Sequence, residues 1–181
     1  MSDDFPILAA IATSPTNPHQ VLDHLQAAGL KAARSTLYRR IDALIENGLV
    51  DATEASGAQP RRLSLSPRGR DYLATEAAAV LGREPLESPR FALAVMCADL
   101  AGGEELSDTL RQRMAETARR LTTEERTLNA IASRDEYWSI AGRERRIAHL
   151  QADVAWLQSV MGRRTVPRTG APPQPARERT L

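Results

Sequence analysis

The sequence predicts a mainly α-helical protein that carries one small β-hairpin. Apolar residues recur at helical spacing over most of the 181 residues, and only the segment 49–66 switches to the alternation typical of strands. The aromatic content is 4%, so the core is expected to consist mostly of aliphatic side chains. The second half carries longer helices than the first half, which predicts two domains of different character.

The first two predicted helices are short. The segment 5–13 is apolar at helical spacing and precedes a break at residues 14–16. Asn17 followed by Pro18 is a typical helix start, and Gly29 suits the end of the same helix. We therefore expect a second helix between Asn17 and Gly29.

A third helix is predicted from Ser35 to Asn47. The apolar face of this helix consists of Leu37, Ile41, Leu44 and Ile45. The opposite face consists of Thr36, Arg39 and Ala43, and it is flanked by Tyr38 and Arg40. Arg39 can therefore reach outward while the aliphatic side chains anchor the helix.

A β-hairpin is predicted after the third helix. Its first strand begins at residues 49–50, residues 56–60 form a turn, and the second strand, 62–66, points Leu63 and Leu65 inward.

A helix over about 67–82 completes the first domain, which is predicted to span 1–82. Ser66 caps this helix and Pro67 occupies its first position. Three helices, a hairpin and a further helix follow each other in the order of a winged helix-turn-helix. In that fold the third helix enters the major groove of DNA and the hairpin, called the wing, lies along the DNA backbone.

The basic residues of the first domain fall in two ten-residue windows that contain no acid. The first window, 31–40, contains Lys31, Arg34, Arg39 and Arg40, and the second window, 61–70, contains Arg61, Arg62, Arg68 and Arg70. Nine acids lie elsewhere in residues 1–82, so the domain is close to neutral but strongly polarised. The windows coincide with the third helix and the wing, which predicts one face directed at a polyanion.

Two readings of the basic windows remain open at this point. Winged helices also serve as protein-interaction adaptors, and short basic runs are commonly solvated surfaces. We favour DNA because neither Arg39 nor the pair Arg61 and Arg62 is needed for packing.

The second domain is predicted to be helical and to span 83–161. A helix begins at Ser88 and runs to about Leu100, one helix of almost thirty residues follows, and a final helix extends to about Met161. Because long helices with narrow apolar stripes seldom bury themselves within one small chain, we expect them to form an association surface. The segment 162–181 is rich in proline and arginine and is predicted to be a disordered tail.

The residue types that build catalytic or metal sites are not clustered in this sequence. His19 and His24 diverge on a helix, His149 is isolated, and Cys97 lies on an apolar stripe. We therefore expect no enzyme, no metal and no cofactor. No apolar stretch is long enough to span a bilayer, the first residues are acidic, and a single cysteine suits a reducing compartment, so a cytoplasmic location is expected.

Several segments resemble the PadR family of transcriptional regulators. Residues 35–44 with 47–50 resemble the recognition helix and first wing strand of that family, and 62–69 resembles its second wing strand and the following helix start. Residues 152–157 resemble the tryptophan-bearing end of its helical dimerisation domain. The resemblance covers about 5–161. The first half alone would also fit a MarR-type ligand-responsive regulator.

The resemblance implies a homodimeric cytoplasmic repressor that binds an inverted-repeat operator in double-stranded DNA. By this resemblance Thr36, Tyr38 and Arg39 would face the bases, with Arg39 able to contact a guanine edge through two donors. The residues expected to hold phosphates are Ser35, Arg40, Arg61 and Arg62.

The second domain would supply the dimer interface and, by the same resemblance, a site for a small apolar or aromatic effector that releases the DNA. The residues expected in the interface are Leu110, Met114, Leu121, Leu150, Val154, Trp156 and Leu157. Tyr137, Trp138 and Trp156 are the aromatic candidates for an effector site, although packing in the dimer core is the favoured reading of these three.

Overall fold

The computed structural model describes residues 4–13, 17–53, 61–100, 103–131 and 137–164. The described elements are α1 (Phe5–Thr13), α2 (Pro18–Ala27), α3 (Arg34–Glu46), β1 (Val50–Ala52), β2 (Leu63–Leu65), α4 (Pro67–Arg83), α5 (Pro89–Met96), a 3₁₀ helix (Ala98–Leu100), α6 (Gly103–Ile131) and α7 (Tyr137–Arg164). The predicted class, a winged helix-turn-helix followed by long helices, is confirmed.

Capping residues set the starts of three helices as predicted. The Asn17 side chain accepts hydrogen bonds from the backbone N–H groups of His19 and Gln20, and the Gln20 side chain accepts one from the backbone of Asn17. At the start of α4 the Ser66 hydroxyl accepts from the Gly69 N–H, and at the start of α5 the Ser88 hydroxyl accepts from the N–H groups of Arg90 and Phe91. Each serine is followed by proline. These caps satisfy N–H groups that have no partner inside the helix.

The end of α2 depends on a glycine. Gly29 has a φ angle of +78°, a backbone conformation that residues with a Cβ atom rarely adopt. Its N–H donates to the Gln26 carbonyl, and the N–H of Leu30 donates to the Leu25 carbonyl. The chain is thereby turned toward α3 as the sequence predicts.

The two strands form an antiparallel hairpin in which Val50 pairs with Leu65 and Ala52 pairs with Leu63. Val50, Leu63 and Leu65 are buried, whereas Ser64 is exposed. The inward orientation predicted for the two leucines is therefore confirmed. The predicted turn at 56–60 lies outside the described residues.

Helix α1 forms the centre of the first core. Every residue from Phe5 to Ile11 is buried, and α1 packs against α2, α4, α5 and β2.

The chain folds into two compact units, Met1–Glu116 and Thr117–Leu181, so the division falls within α6. The functional boundary predicted between residues 82 and 83 stays a prediction. By packing, α5 belongs to the first unit, because Phe91 and Leu93 are buried and α5 contacts both α1 and α4.

The second unit contains the end of α6 and all of α7, within which Ile147 and Leu157 are buried. Glu124 of α6 receives hydrogen bonds from Arg143 and Arg146 of α7 at 2.7 and 2.9 Å. The hydrogen bonds from Arg146 and Arg143 hold the pKa of Glu124 below its ordinary value, against the opposing effect of partial desolvation. Among the described residues, no helix is long and apolar enough to cross a membrane.

Three helices differ from the prediction at one or both ends. Helix α5 ends at Met96 instead of continuing to Leu100, because Leu100 donates to the carbonyl of Cys97 three residues back and the chain tightens into a 3₁₀ turn. Helix α3 spans Arg34–Glu46, one residue earlier than predicted at each end. Helix α7 reaches Arg164, so residues 162–164 of the predicted tail are helical. The remaining tail, 165–181, lies outside the described residues.

Candidate nucleic-acid interface

Helix α3 presents one face to the core and the other to the surface. Leu37, Ile41 and Leu44 are 1–2% exposed, and Ile45 is half-buried. The exposed side chains include Ser35, Thr36, Arg39 and Ala43, and Tyr38 is 39% exposed. The helical wheel therefore predicted the orientation of α3 correctly, and Arg39 lies on its outer surface.

Arg40 differs from Arg39 in having an acidic partner. Its Nε donates to Oδ1 of Asp4 at 3.1 Å, and a second donor of the same guanidinium binds the same oxygen. Both side chains are about three-quarters covered. This ion pair ties α3 to the start of α1, and a phosphate would have to compete with Asp4 for the Arg40 charge.

An ion pair joins the second basic window to α3. Nη1 of Arg61 lies 3.1 Å from Oδ1 of Asp42. Arg61 precedes β2, and Asp42 lies on α3 within the same unit. The pair therefore places the beginning of the second wing strand beside the recognition helix.

Arg62 is the exposed cation of the described part of the wing. Its backbone is fixed, because its N–H donates to Oγ1 of Thr53 at 3.2 Å and its carbonyl accepts from the Thr53 N–H at 3.0 Å. These bonds extend the hairpin ladder beyond β2. The side chain of Arg62 makes no ion pair with another residue of the described ranges, and neither does that of Arg39.

The start of α4 fixes the wing against α3. The Ser66 hydroxyl donates to the Gly48 carbonyl at 2.7 Å and accepts from the Gly69 N–H at 2.9 Å. Arg68 donates to the Asn47 carbonyl at 3.2 Å. Ser66 thus connects the end of the recognition helix with α4. These hydrogen bonds hold the segment between α3 and the wing in place.

Asp4 and Asp42 were not predictable as partners of the basic windows. Asp4 and Arg40 are separated by 36 positions and Asp42 and Arg61 by 19, so no local spacing rule connects either pair. The structure brings Thr36, Tyr38, Arg39 and the wing arginines into one unit, while two of the arginines predicted to hold phosphates already have carboxylate partners.

The residues predicted for the dimer interface differ in exposure. Leu110 is 3% exposed and Leu157 is fully covered within the single chain, so these two offer almost no surface to a partner. The partly exposed members of the set are Met114, Leu121, Leu150, Val154 and Trp156.

The aromatic candidates for an effector site lie in two places on α7. Tyr137 and Trp138 are 69% and 83% exposed at the start of α7, and their rings meet edge to face with centroids 5.0 Å apart. Trp156 lies near the other end of the helix and is partly covered.

Cys97 is buried, as predicted, and burial raises the pKa of its thiol to about 11. The thiol is thereby kept in its neutral, unreactive form at neutral pH. Within the described ranges, no group of three or more His, Cys, Asp or Glu side chains could hold a metal ion.

Comparison with known proteins finds similarity in solved structures alone. No family model matches the sequence, and no curated protein matches it. Bacillus subtilis PadR in complex with operator DNA is 13% identical, with a TM-score of 0.39 over 88% of this chain and 96% of that chain. The same protein in complex with p-coumaric acid gives the same values. The protein smu.1604c from Streptococcus mutans UA159 is 13% identical, with a TM-score of 0.38 over 90% of this chain and 99% of that chain.

The Bacillus protein bears the name of the family whose motifs the sequence resembles.

Proposed function

We propose that this protein is a sequence-specific DNA-binding transcriptional regulator that acts as a homodimeric repressor in the cytoplasm. The observation that carries the proposal is the ion pair between Arg61 and Asp42, which joins the wing to the recognition helix. Through this contact, the second basic window lies beside α3, the helix that carries Arg39 and Arg40 of the first window. A basic surface on a nearly neutral domain suits a polyanion, and the winged helix-turn-helix suits the major groove of DNA.

The role proposed for each side chain depends on whether it already has an acidic partner in the fold. Arg39 has no described acidic partner and projects from α3, so it is the proposed reader of a guanine edge, with Thr36 and Tyr38 beside it. Arg62 and Ser35 are exposed and are proposed to hold phosphates.

Arg40 and Arg61 contribute differently in this proposal. Each already binds a carboxylate, which neutralises part of the charge that it could offer to a phosphate. We therefore assign them mainly to placing α3 and the wing, and we expect a smaller contribution to DNA affinity from them than from Arg62.

Dimerisation would give the protein two recognition helices for an inverted-repeat operator, with half-sites about 34 Å apart. The partly exposed apolar residues of α6 and α7, among them Leu121 and Val154, are proposed to form the interface. A small apolar or aromatic effector is proposed to release the DNA, with Tyr137, Trp138 and Trp156 as candidate contacts.

Two arginine substitutions test the proposed roles. A duplex selected from a random pool by the wild-type protein serves as the specific site, and an unrelated duplex serves as the nonspecific site. Arg39→Ala should weaken binding to the selected duplex by about 1–3 kcal/mol and hardly change binding to the unrelated one. Arg62→Ala should weaken both to a similar extent and lower the salt slope by about two units, because each protomer of the dimer loses one phosphate contact.

Arg111→Ala is the matched control for this comparison, because Arg111 is an exposed arginine of the same unit that lies outside both windows and pairs with Asp108. It should leave both affinities unchanged. Identical effects of Arg39→Ala and Arg62→Ala on the two duplexes would contradict the division into base reading and phosphate binding.

A further inference from the structure

A cavity of about 240 Å³ lies within the first unit, between α1, the end of α2, the turn that follows it and the first turns of α3. Its apolar wall consists of Pro6, Ile7, Leu25, Leu30 and Leu37. None of the residues that line it is aromatic. At about 30 Å³ per water-sized group, the cavity has room for roughly eight such groups, which is the size of a small organic molecule.

The polar part of the lining is cationic. Lys31 and Arg40 both line the cavity, together with the hydroxyl-bearing Thr36. Asp4 partly neutralises Arg40, whereas Lys31 makes no ion pair with any residue of the described ranges. No acidic residue is part of the lining. The cavity therefore combines an aliphatic wall with a lysine that has no ion-pair partner in the described ranges.

The first turn of α3 adds positive potential at the same place. Its N-cap residue, Ala33, also lines the cavity and supplies no side-chain hydrogen bond to the helix N-terminus. The partial positive charge of the unsatisfied N–H groups is thus left uncapped beside Lys31. Such a helix start favours an anion, and the apolar wall favours a hydrocarbon body attached to it.

We propose that this cavity is a binding site for a small organic anion with an aliphatic body, held by Lys31 and by contact with Ile7, Leu25, Leu30 and Leu37. The site is separate from the aromatic residues of α7 and does not depend on the proposed DNA binding. If the protein binds DNA as proposed, occupation of the cavity has one functional consequence. An occupant would lie against Thr36 on the recognition helix, so ligand and operator would exclude each other.

Methyl-group NMR of the full-length protein without DNA tests the site. The probe is cyclohexanecarboxylate, and its neutral counterpart, cyclohexanecarboxamide, has nearly the same shape. Cyclohexanecarboxylate should cause saturable shifts centred on the methyl groups of Ile7, Leu25, Leu30 and Leu37. The carboxamide should bind roughly fivefold more weakly, the upper end for an ion pair that water can reach.

Three variants separate charge from shape. Lys31→Gln should reduce the preference for the carboxylate, because the unpaired cation is lost while Arg40 and the start of α3 remain. Arg34→Gln is the matched control, because it removes an exposed cation of α3 that does not line the cavity, and it should leave the preference unchanged. Ala32→Leu should narrow the cavity and weaken both probes alike.

Shifts that do not saturate or that spread over the whole protein, or a carboxylate preference that is unchanged in Lys31→Gln, would overturn the site. Because no DNA is present, that result would leave the proposed DNA binding intact. In a second measurement, saturating cyclohexanecarboxylate should lower the affinity of wild-type protein for its selected duplex. An unchanged affinity with the cavity occupied would overturn the exclusion between ligand and operator.

Discussion

Gly69 lies where the backbone of α4 passes closest to the segment that leads into β1. A Cβ atom at this position would lie 2.0 Å from the Leu49 carbonyl oxygen and 2.9 Å from its carbon. The obstacle is backbone that is itself held in place, because the Leu49 carbonyl accepts a hydrogen bond from the N–H of Ser66. A single missing side chain therefore permits the close packing of α4 against the wing.

Gly69→Ala should lower the free energy of unfolding by about 2–3 kcal/mol, because the added methyl group has to displace backbone. Gly142→Ala is the control, since Gly142 lies within α7 and no atom approaches its Cβ position within 4 Å. That substitution should stabilise the protein by about 0.5–1 kcal/mol through the higher helix propensity of alanine. Denaturant unfolding of the two variants measures both effects, and equal stabilities would contradict the close packing at Gly69.

The roles of single residues were predictable where they depend on local periodicity. The 3.6-residue period of α3 is sufficient to place Leu37 inward and Arg39 outward. The partners of Arg40 and Arg61 were not predictable, because the carboxylates that bind them come from distant parts of the chain. The basic windows contain no acid in the sequence, yet Arg40 and Arg61 lie beside carboxylates in the fold.

Arg113 of α6 binds the backbone at the end of α4. Nη1 of Arg113 donates to the Gly82 carbonyl at 3.1 Å, and Nη2 donates to the Glu84 carbonyl. Arg113 is 8% exposed, so its charge is largely removed from water and is compensated by carbonyl groups at the helix C-terminus. In this way α6 supports the helix that in turn supports the wing.

Arg113→Met should lower the free energy of unfolding by about 2–3 kcal/mol, because it removes hydrogen bonds from a charged donor while keeping most of the hydrophobic volume. Arg111→Met provides the comparison, since Arg111 is exposed and pairs with Asp108 one turn away. Its loss should cost less than about 0.5 kcal/mol. Thermal and denaturant unfolding measure both changes in stability. Equally small changes for the two substitutions would contradict the role of Arg113.

Whole elements were predictable where capping and turn residues mark their limits. Asn17, Ser66 and Ser88 each begin a helix in the sequence and in the structure, because a side-chain cap is a local interaction. The end of α5 at Met96 was not predictable, since no glycine or proline interrupts the apolar pattern before Leu100. Assignment of α5 to the first unit likewise depends on packing against α1 and α4, which no sequence pattern reports.

At the scale of the whole molecule, the second unit keeps apolar surface that the single chain does not cover. Val154, Trp156 and Leu150 on α7 are each partly exposed, whereas Leu157 beside them is fully buried. A narrow, partly covered stripe on a long helix is typical of an association surface. We therefore expect the dimer to form through this stripe.

Trp156→Ala should raise the dimer dissociation constant by about thirtyfold, the effect of losing roughly 2 kcal/mol at a central aromatic contact. Trp138→Ala removes the same kind of side chain from a site that is 83% exposed on the same helix. Sedimentation equilibrium should show a much smaller change for that variant. A larger effect of Trp138→Ala than of Trp156→Ala would move the interface to the start of α7.

The salt dependence of DNA binding tests the central claim most directly, because it distinguishes a DNA-binding protein from an adaptor that uses the same fold to bind proteins. A dimer that applies α3 and the wing to two half-sites should neutralise about six to ten phosphates. Its affinity for a selected duplex should then fall on the order of a thousandfold or more between about 50 and 200 mM salt, and the logarithm of affinity should be linear in the logarithm of salt concentration. An affinity that hardly changes over this range, or the absence of duplex binding at the lowest salt, would contradict the proposed function.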